Sequence, residues 1–307
     1  HFAWREALIG GPSPADLTAV EWRRLRAQHL VEAYKVEADE CERELLQQEE
    51  RLASFRKYDE IVLWFEHDLF CQVNLIYLLN WFAQQKLLDT KLSLVCINSF
   101  PDKENFRGLG ELSAGELASL FPAREEVTSS QFELATRAWA AYSSRDPRDI
   151  QAFIEGETSA LPFLGAALKA HLRRFPSTRN GLGVIEDLGL GLIDAGAKTF
   201  DDLFARFRDA EPIYGLGDSQ FWSSLQSLIK ANQPLLTSNG GNRNGEGIAR
   251  ATTFEITKLG KAILKGDGDF VSLNGIDRWL GGVYLSDERN LWRWDQQSET
   301  IVLTRND

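Results

Sequence analysis

The sequence predicts an α/β protein, and three observations support that fold class. Two apolar runs typical of buried strands, 59–68 and 91–99, flank a stretch of helical length and spacing at 69–88. Three helical segments are followed by two strand-like pieces around a tip rich in Gly and Asn, which is the element order of a winged helix-turn-helix. The chain from residue 268 onward is rich in Trp and strand-like.

The strand, helix and strand at 59–99 predict a βαβ crossover and therefore a parallel sheet of Rossmann-like type. Upstream, the strongly charged stretch 16–58 is typical of two helices broken near Ala38. Downstream we expect four helices, at 113–120, 129–142, 147–154 and 161–175. The sequence contains no Met and does not begin with one, so we expect a first strand of the sheet to be truncated.

The second half of the chain changes character after residue 179. We expect helices at 182–195, 199–209 and 218–231, the last capped by Asp218. The predicted organisation has four segments. They are a Rossmann-like domain at 1–158, a connecting helix at 159–179, a winged-helix-like domain at 180–266, and a β segment at 267–307 that packs on the N-terminal domain.

Composition and charge narrow the function classes. The 307 residues are 43% hydrophobic and 26% charged, which is ordinary for a globular protein. A net charge of −11 disfavours nucleic acid as a partner, because the chain repels phosphate groups. No apolar stretch is long enough to span a membrane. The three cysteines lie far apart without a CxxC motif, which favours a reducing cytoplasm.

Glu66, His67 and Asp68 follow the first apolar run without a break. Ligands bind beyond the carboxyl ends of the strands in an open parallel sheet, so this triplet is the candidate catalytic site. Alternation along a strand places Glu66 and Asp68 on one side and His67 on the other. The alternative interpretation is structural: Asp68 caps the next helix, Glu66 pairs with an arginine, and His67 is a core histidine.

Five motifs, "WFEHDLF", "GLGEL", "LFPAR", "LPFLGAALKAHLRRFPSTRNGL" and "NGIDRWLGGVYL", occur in order over nearly the whole chain. With them the sequence resembles the bacterial family carrying the domain of unknown function 1835. That family is uncharacterised, so the resemblance implies no activity. It implies an additional strand before residue 2, which agrees with a truncated start. Family members usually have Asp where this chain has Cys71, which puts in doubt a carboxylate role at that position.

The resemblance also directs attention to polar residues far from the triplet. They are Arg179 and Asn180 in the fourth motif, and Asn274, Asp277 and Arg278 in the fifth. One interpretation is structural, with a cap and turn at 177–181, a turn at Asn274 and Gly275, and a contact between Asp277 and Arg278. The other is that Arg179 and Arg278 bind an anionic ligand, since the guanidinium group matches carboxylate and phosphate.

Standard signatures of nucleotide, serine-hydrolase and zinc-peptidase sites are absent from the sequence. His67 with two adjacent carboxylates is a weak metal pattern, so we predict no metal site. The segment 218–231 holds Lys230 as its single basic residue, and Arg243 and Arg250 lie at the tip of the predicted wing. DNA binding is therefore not expected.

The sequence thus predicts an enzyme or binding protein for a small anionic, possibly phosphorylated, ligand. Glu66 or His67 would be the general acid or base, Asp68 would orient the histidine, and Arg179 and Arg278 would hold the anion in the same cleft. The competing hypothesis is a transcriptional regulator that senses a ligand and binds DNA through the winged segment. No cofactor and no oligomeric state are predicted.

Overall fold

The computed structural model describes residues 2–104, 106–240, 252–286 and 290–305. These residues form a mixed α/β structure with small sheets. The chain divides into two compact units. The first comprises His1–Leu168 with Gly281–Val283, and the second comprises Lys169–Leu280 with Tyr284–Asp307. No helix in the described ranges is both long enough and apolar enough to span a membrane.

The first unit contains the elements up to the boundary at residue 168. They are β1 (Gly11–Pro12), α1 (Ala19–Tyr34), α2 (Ala38–Ala53), β2 (Glu60–Glu66), α3 (Leu69–Ala83), β3 (Lys91–Ile97), α4 (Ala114–Leu120), β4 (Glu125–Glu126), α5 (Ser129–Ser143), α6 (Arg148–Ile154) and the start of α7 (Leu164–Leu172). The predicted break near Ala38 is confirmed: Lys35 ends α1 in a left-handed conformation, with φ of 57°.

The predicted βαβ unit is confirmed. Strands β2 and β3 pair in parallel, from Glu60 opposite Lys91 to Glu66 opposite Ile97, with α3 as the crossover. Strand β4 adds to β3 in the antiparallel direction, so the sheet is mixed rather than purely parallel. Helix α3 is apolar nearly all round and is largely buried, and Asp68 caps its start directly after β2.

Charge burial stabilises the N-terminal part of the first unit. Arg26 is fully buried, and its guanidinium donates to Glu6 at 2.6 Å and to the carbonyls of Ala7, Gly10 and Pro12. Four of its hydrogen bonds thus join α1 to the segment before it, and the Glu6 carboxylate is neutralised by a charge-assisted pair.

The second unit contains the end of α7 and the elements that follow the boundary. They are α8 (Val184–Asp194), α9 (Phe200–Ala210), α10 (Asp218–Ile229), β5 (Leu236–Asn239), β6 (Thr253–Ile256), α11 (Lys258–Lys265), α12 (Phe270–Asn274), β7 (Arg278–Gly281), β8 (Val283–Leu285), β9 (Asn290–Asp295) and β10 (Thr300–Arg305). Gly281 and Val283 belong to the first unit.

The core of the second unit is aromatic. Phe200, Phe207 and Phe221 are buried, and the rings of Phe207 and Phe221 lie 4.5 Å apart. Strands β5 and β6 form an antiparallel hairpin, as predicted. Its tip, including Arg243 and Arg250, lies outside the described residues. Strands β9 and β10 form a second antiparallel hairpin.

Two local predictions in the second unit are wrong. Asp218 does not cap α10: the N-cap is Gly217, whose backbone N–H donates to the Gln220 side chain at 2.7 Å. Residues 270–274 form a helix instead of a strand, because Asp269 supplies an N-cap by accepting a hydrogen bond from the Ser272 N–H. Gly275 is the C-cap of that helix, with φ of 75°.

Candidate functional site

The end of β2 brings two carboxylates together. Glu66 is the last residue of the strand, and Asp68 is the N-cap of α3, so one residue separates them. The Asp68 carboxylate accepts a hydrogen bond from the Cys71 N–H at 2.9 Å and is only 4% exposed. The structural interpretation of Asp68 as a helix cap is therefore confirmed. A carboxylate oxygen of each lies within 4.8 Å of the other, so Glu66 and Asp68 share one side as predicted.

A loop from the same unit closes over Glu66. The Leu109 N–H donates to Glu66 Oε1 at 2.6 Å. Gly108 has φ of 153°, and a Cβ atom there would lie 2.4 Å from Glu66 Oε2. Only glycine therefore allows the backbone to approach the carboxylate this closely. Sequence reasoning missed this contact. The "GLGEL" motif was its one trace, and it carried no assigned role.

Burial dominates the electrostatics of the pair. Loss of solvent, and to a smaller extent the nearby Asp68, raises the pKa of Glu66 from its ordinary 4.5 to about 7, against the opposing hydrogen bond from Leu109. Burial also raises the pKa of Asp68. Two carboxyl groups this close cannot both ionise without cost, which favours the protonated form of one of them. Near neutral pH the pair can therefore accept or give up a proton.

Neither carboxylate has a lysine or arginine partner within the described part of the chain. The expected pairing of Glu66 with an arginine is thus not found there. Other buried or half-buried carboxylates do pair with arginine, each at 2.6 Å: Glu6 with Arg26, Glu186 with Arg278, and Asp269 with Arg293. The Glu66–Asp68 pair differs from them because backbone N–H groups, those of Leu109 and Cys71, donate hydrogen bonds to it in place of an arginine. Its raised pKa values also favour a protonated carboxyl group.

Cys71 joins the two carboxylates, and sequence reasoning did not select it. One donor atom each from Glu66, Asp68 and Cys71 lies within 4.8 Å of the others. Carboxylate oxygen and thiolate sulfur are both zinc ligands, so these residues are the set that could hold a metal ion. Burial and the two carboxylates raise the pKa of the Cys71 thiol far above its usual range. The thiol is therefore not an activated nucleophile.

His67 contributes no ligand atom to this cluster, although its charge acts to lower the pKa of Asp68. Its ring lies 6.2 Å from that of Phe163, in an edge-to-face arrangement. Its Nδ1 is buried without a hydrogen-bond partner. We expected Asp68 to orient the His67 ring, but it does not do so through Nδ1. The partly exposed ring is not a core histidine with its polar atoms satisfied either.

Arg179 and Asn180 belong to the second unit and have structural partners there. The Arg179 guanidinium donates to Asp187 at 2.8 Å and to the Leu264 carbonyl at 3.1 Å. Asn180 is buried, donates to Asp187 at 2.7 Å and accepts from the Leu182 N–H at 3.1 Å. These contacts hold the turn that precedes α8, which agrees with the structural interpretation of this motif.

The other three predicted ligand residues, Asn274, Asp277 and Arg278, line a cavity of about 190 Å³ within the second unit. The expected contact between Asp277 and Arg278 is replaced by other partners. Arg278 pairs with the buried Glu186, and Asp277 accepts from the Tyr284 hydroxyl at 2.9 Å. The structure thus brings Glu66 and Asp68 together in the first unit, and Asn274, Asp277 and Arg278 together in the second.

Comparisons with protein-family models, with curated proteins and with solved structures find no match to this chain.

Proposed function

We propose that this protein is an enzyme that binds a small molecule at the end of β2 and moves a proton on it through Glu66. The observation that carries the proposal is the half-buried Glu66 beside the buried Asp68, with no lysine or arginine partner among the described residues. Burying two acidic groups side by side costs stability, and no lysine or arginine in the described ranges offsets that cost. Such an arrangement is typical of catalytic sites, where a carboxyl group must hold its proton near neutral pH.

Each member of the pair has a distinct role in this proposal. Glu66 is the general acid or base, because its pKa of about 7 lets both protonation states exist at neutral pH. Asp68 is fixed by its helix-capping hydrogen bond, shares the proton and returns it. The Leu109 N–H and Gly108 fix the Glu66 carboxyl group and restrict the approach to it.

The ligand in this proposal is small and carries an anionic group, as the sequence analysis expects. A protonated carboxyl group supports that choice, because it can donate a hydrogen bond to a carboxylate or phosphate oxygen. An ionised carboxylate would instead repel the anion. A protein that binds the anionic ligand without converting it would use the same hydrogen bond from a protonated carboxyl group. Glu66 is therefore required whether the protein is an enzyme or a binding protein.

The finer assignments belong to the same proposal. The parallel β2–α3–β3 unit supports a Rossmann-like first unit. The order α8, α9, α10 and then an antiparallel hairpin supports a winged-helix-like segment. The five motifs support membership in the family with the domain of unknown function 1835. The three free cysteines support a cytoplasmic location.

The winged-helix order also supports the second candidate, a ligand-sensing regulator that binds DNA. Helix α10 argues against it, since Asp218–Ile229 contains no Lys or Arg with which to contact phosphate or bases. A gel shift at moderate salt with genomic fragments tests this candidate. Sequence-dependent retention at sub-micromolar protein would favour the regulator over the enzyme.

The test of the enzyme proposal is a thermal-shift screen of nucleotides and phosphosugars on wild-type protein, repeated on Glu66→Gln. Glutamine keeps the size of the side chain and an acceptor for the Leu109 N–H, but it cannot transfer a proton. Glu125→Gln, an exposed position in the same sheet, is the matched control. We expect a hit to be weakened by Glu66→Gln and unchanged by Glu125→Gln. Equal binding by all three proteins would contradict the role of Glu66.

A further inference from the structure

The cavity in the second unit has the features of a separate ligand site. It lies where the start of α8 meets the segment from α12 to β7. Its volume of about 190 Å³ is below the roughly 300–1,000 Å³ of pockets for drug-sized ligands. A cavity of this size suits a small metabolite rather than a nucleotide or a dinucleotide cofactor.

The charged side chains that line the cavity determine which small metabolites it can bind. One guanidinium, that of Arg278, lines the cavity together with the carboxylates of Glu186 and Asp277. Glu186 is 6% exposed and is neutralised by its ion pair with Arg278, whereas Asp277 is exposed and accepts a hydrogen bond from the Tyr284 hydroxyl, with no lysine or arginine partner among the described residues. The cavity therefore has one carboxylate in excess, and a simple anion would be repelled.

An anionic group can nevertheless be held locally. Arg278 has five N–H donors, and in the described structure two are used, one for Glu186 and one for the Arg174 carbonyl. A third of its side chain is exposed (33%), so further donors on its terminal nitrogens are accessible. Gly183 begins α8 without a side-chain cap, and the Val184 N–H donates to the Arg173 carbonyl at 3.0 Å. Gly183 and Glu186 line the cavity, so the positive end of the helix dipole lies beside it.

The remaining wall is mostly apolar, with Ser227 and Asn274 as its polar residues. Leu182, Phe270, Val271 and Ile276 line it, together with Ala231. A ligand that uses the whole cavity therefore needs an apolar portion next to its polar groups.

We infer that the second unit binds a free amino acid with an aliphatic side chain in its zwitterionic form. The ligand carboxylate is placed against Arg278 and the start of α8, the ammonium group against Asp277, and the side chain against Phe270, Val271 and Ile276. A zwitterion satisfies both signs of charge at once, which neither an acid nor an amine alone achieves. This inference is independent of the role proposed for Glu66.

The test uses the full chain and three probes of matched shape. L-Leucine carries both charges, 4-methylpentanoate lacks the ammonium group, and 3-methylbutylamine lacks the carboxylate. We expect leucine at saturating concentration to raise the melting temperature by roughly 2–5 °C, because a ligand that binds only the folded state stabilises it. The two single-charge probes should bind at least about tenfold more weakly.

Two variants separate a specific site from a general solvent effect. Asp277→Asn keeps an acceptor for the Tyr284 hydroxyl and removes the charge, so leucine binding should weaken about tenfold, whereas binding of the anion 4-methylpentanoate should strengthen because the excess carboxylate is gone. Ala231→Leu fills the cavity and should abolish leucine binding. Ala210→Leu, at an exposed position at the end of α9, is the matched control and should bind like wild type.

Three results would overturn the inference. One is the absence of any leucine-dependent shift in wild-type protein. Another is equal binding of leucine and 4-methylpentanoate, which would indicate an anion site. The third is unchanged leucine binding in Ala231→Leu, which would place the ligand elsewhere. Glu66→Gln should leave leucine binding unchanged, so failure here is distinguishable from failure of the enzyme proposal.

Discussion

Two regions of the first unit contain acidic groups removed from solvent, and they differ in how the charge is balanced. We call Glu6 with Arg26 the paired region, and Glu66 with Asp68 the unpaired region. Near α1, Glu6 pairs with the fully buried Arg26, so the burial of the acid is balanced by a fixed positive charge. At the end of β2, the half-buried Glu66 lies beside the buried Asp68, and no lysine or arginine among the described residues supplies such a charge. The first arrangement joins segments of the fold. The second retains a proton that can be exchanged, which makes it the better candidate for chemistry.

Arg26→Ala should show the largest effect, because it removes the positive charge from the paired region. It leaves the Glu6 carboxylate buried without its partner and three carbonyls without their donor. We expect the free energy of unfolding to fall by about 3–5 kcal/mol, measured by urea denaturation. Arg24→Ala, at an exposed position in the same helix, is the control and should have little effect. An equally small effect of Arg26→Ala would mean that the pair does not stabilise the fold.

The paired region should also be sensitive to acid. Burial and the nearby Arg26 lower the pKa of His29 from its ordinary 6.5 to about 4. The unfolded chain therefore binds a proton before the folded chain does. This contribution to stability is complete above pH 6.5 and is lost as the pH falls through 4.

We expect His29→Gln to remove a loss on the order of 3 kcal/mol between those pH values. The measurement is urea denaturation of both proteins at several pH values from 7 down to 4. Parallel stability curves for the variant and the wild type would contradict the assignment to His29.

Much of the unpaired region follows from sequence. The apolar run and the helical spacing after it predict β2, α3 and β3, and strand alternation puts Glu66 and Asp68 on one side. Cys71 was missed because it lies within an apolar helical run, although a thiol three positions after a capping Asp was a usable signal. The Leu109 contact comes from a backbone N–H and has no side-chain signature. Gly108 was its only trace.

The partner of Arg278 shows a second limit. Asp277 is its neighbour in sequence and was the expected contact, yet Arg278 pairs with Glu186, 92 positions away. Burial decides this choice: Glu186 is buried and needs a neutralising charge, whereas Asp277 is exposed and is solvated by water. Charge alone in a sequence does not reveal which carboxylate a fold will bury.

The unpaired region should show the opposite pH dependence, with a smaller effect. The pKa of Glu66 is raised from its ordinary 4.5 to about 7, so the folded protein binds the extra proton. The stability this provides is complete below pH 4.5 and is lost as the pH rises through 7. Since the side chain is partly exposed, we discount the shift for screening and expect a loss on the order of 1 kcal/mol.

Glu66→Gln should remove this loss, so the free energy of unfolding of the variant, measured by urea denaturation, should rise relative to that of wild type between pH 5 and pH 8. Glu125→Gln should follow the wild-type curve. If the wild type were instead more stable than Glu66→Gln at pH 8 by the same margin as at pH 5, Glu66 would already be ionised throughout, and the contrast with the Glu6–Arg26 pair would disappear.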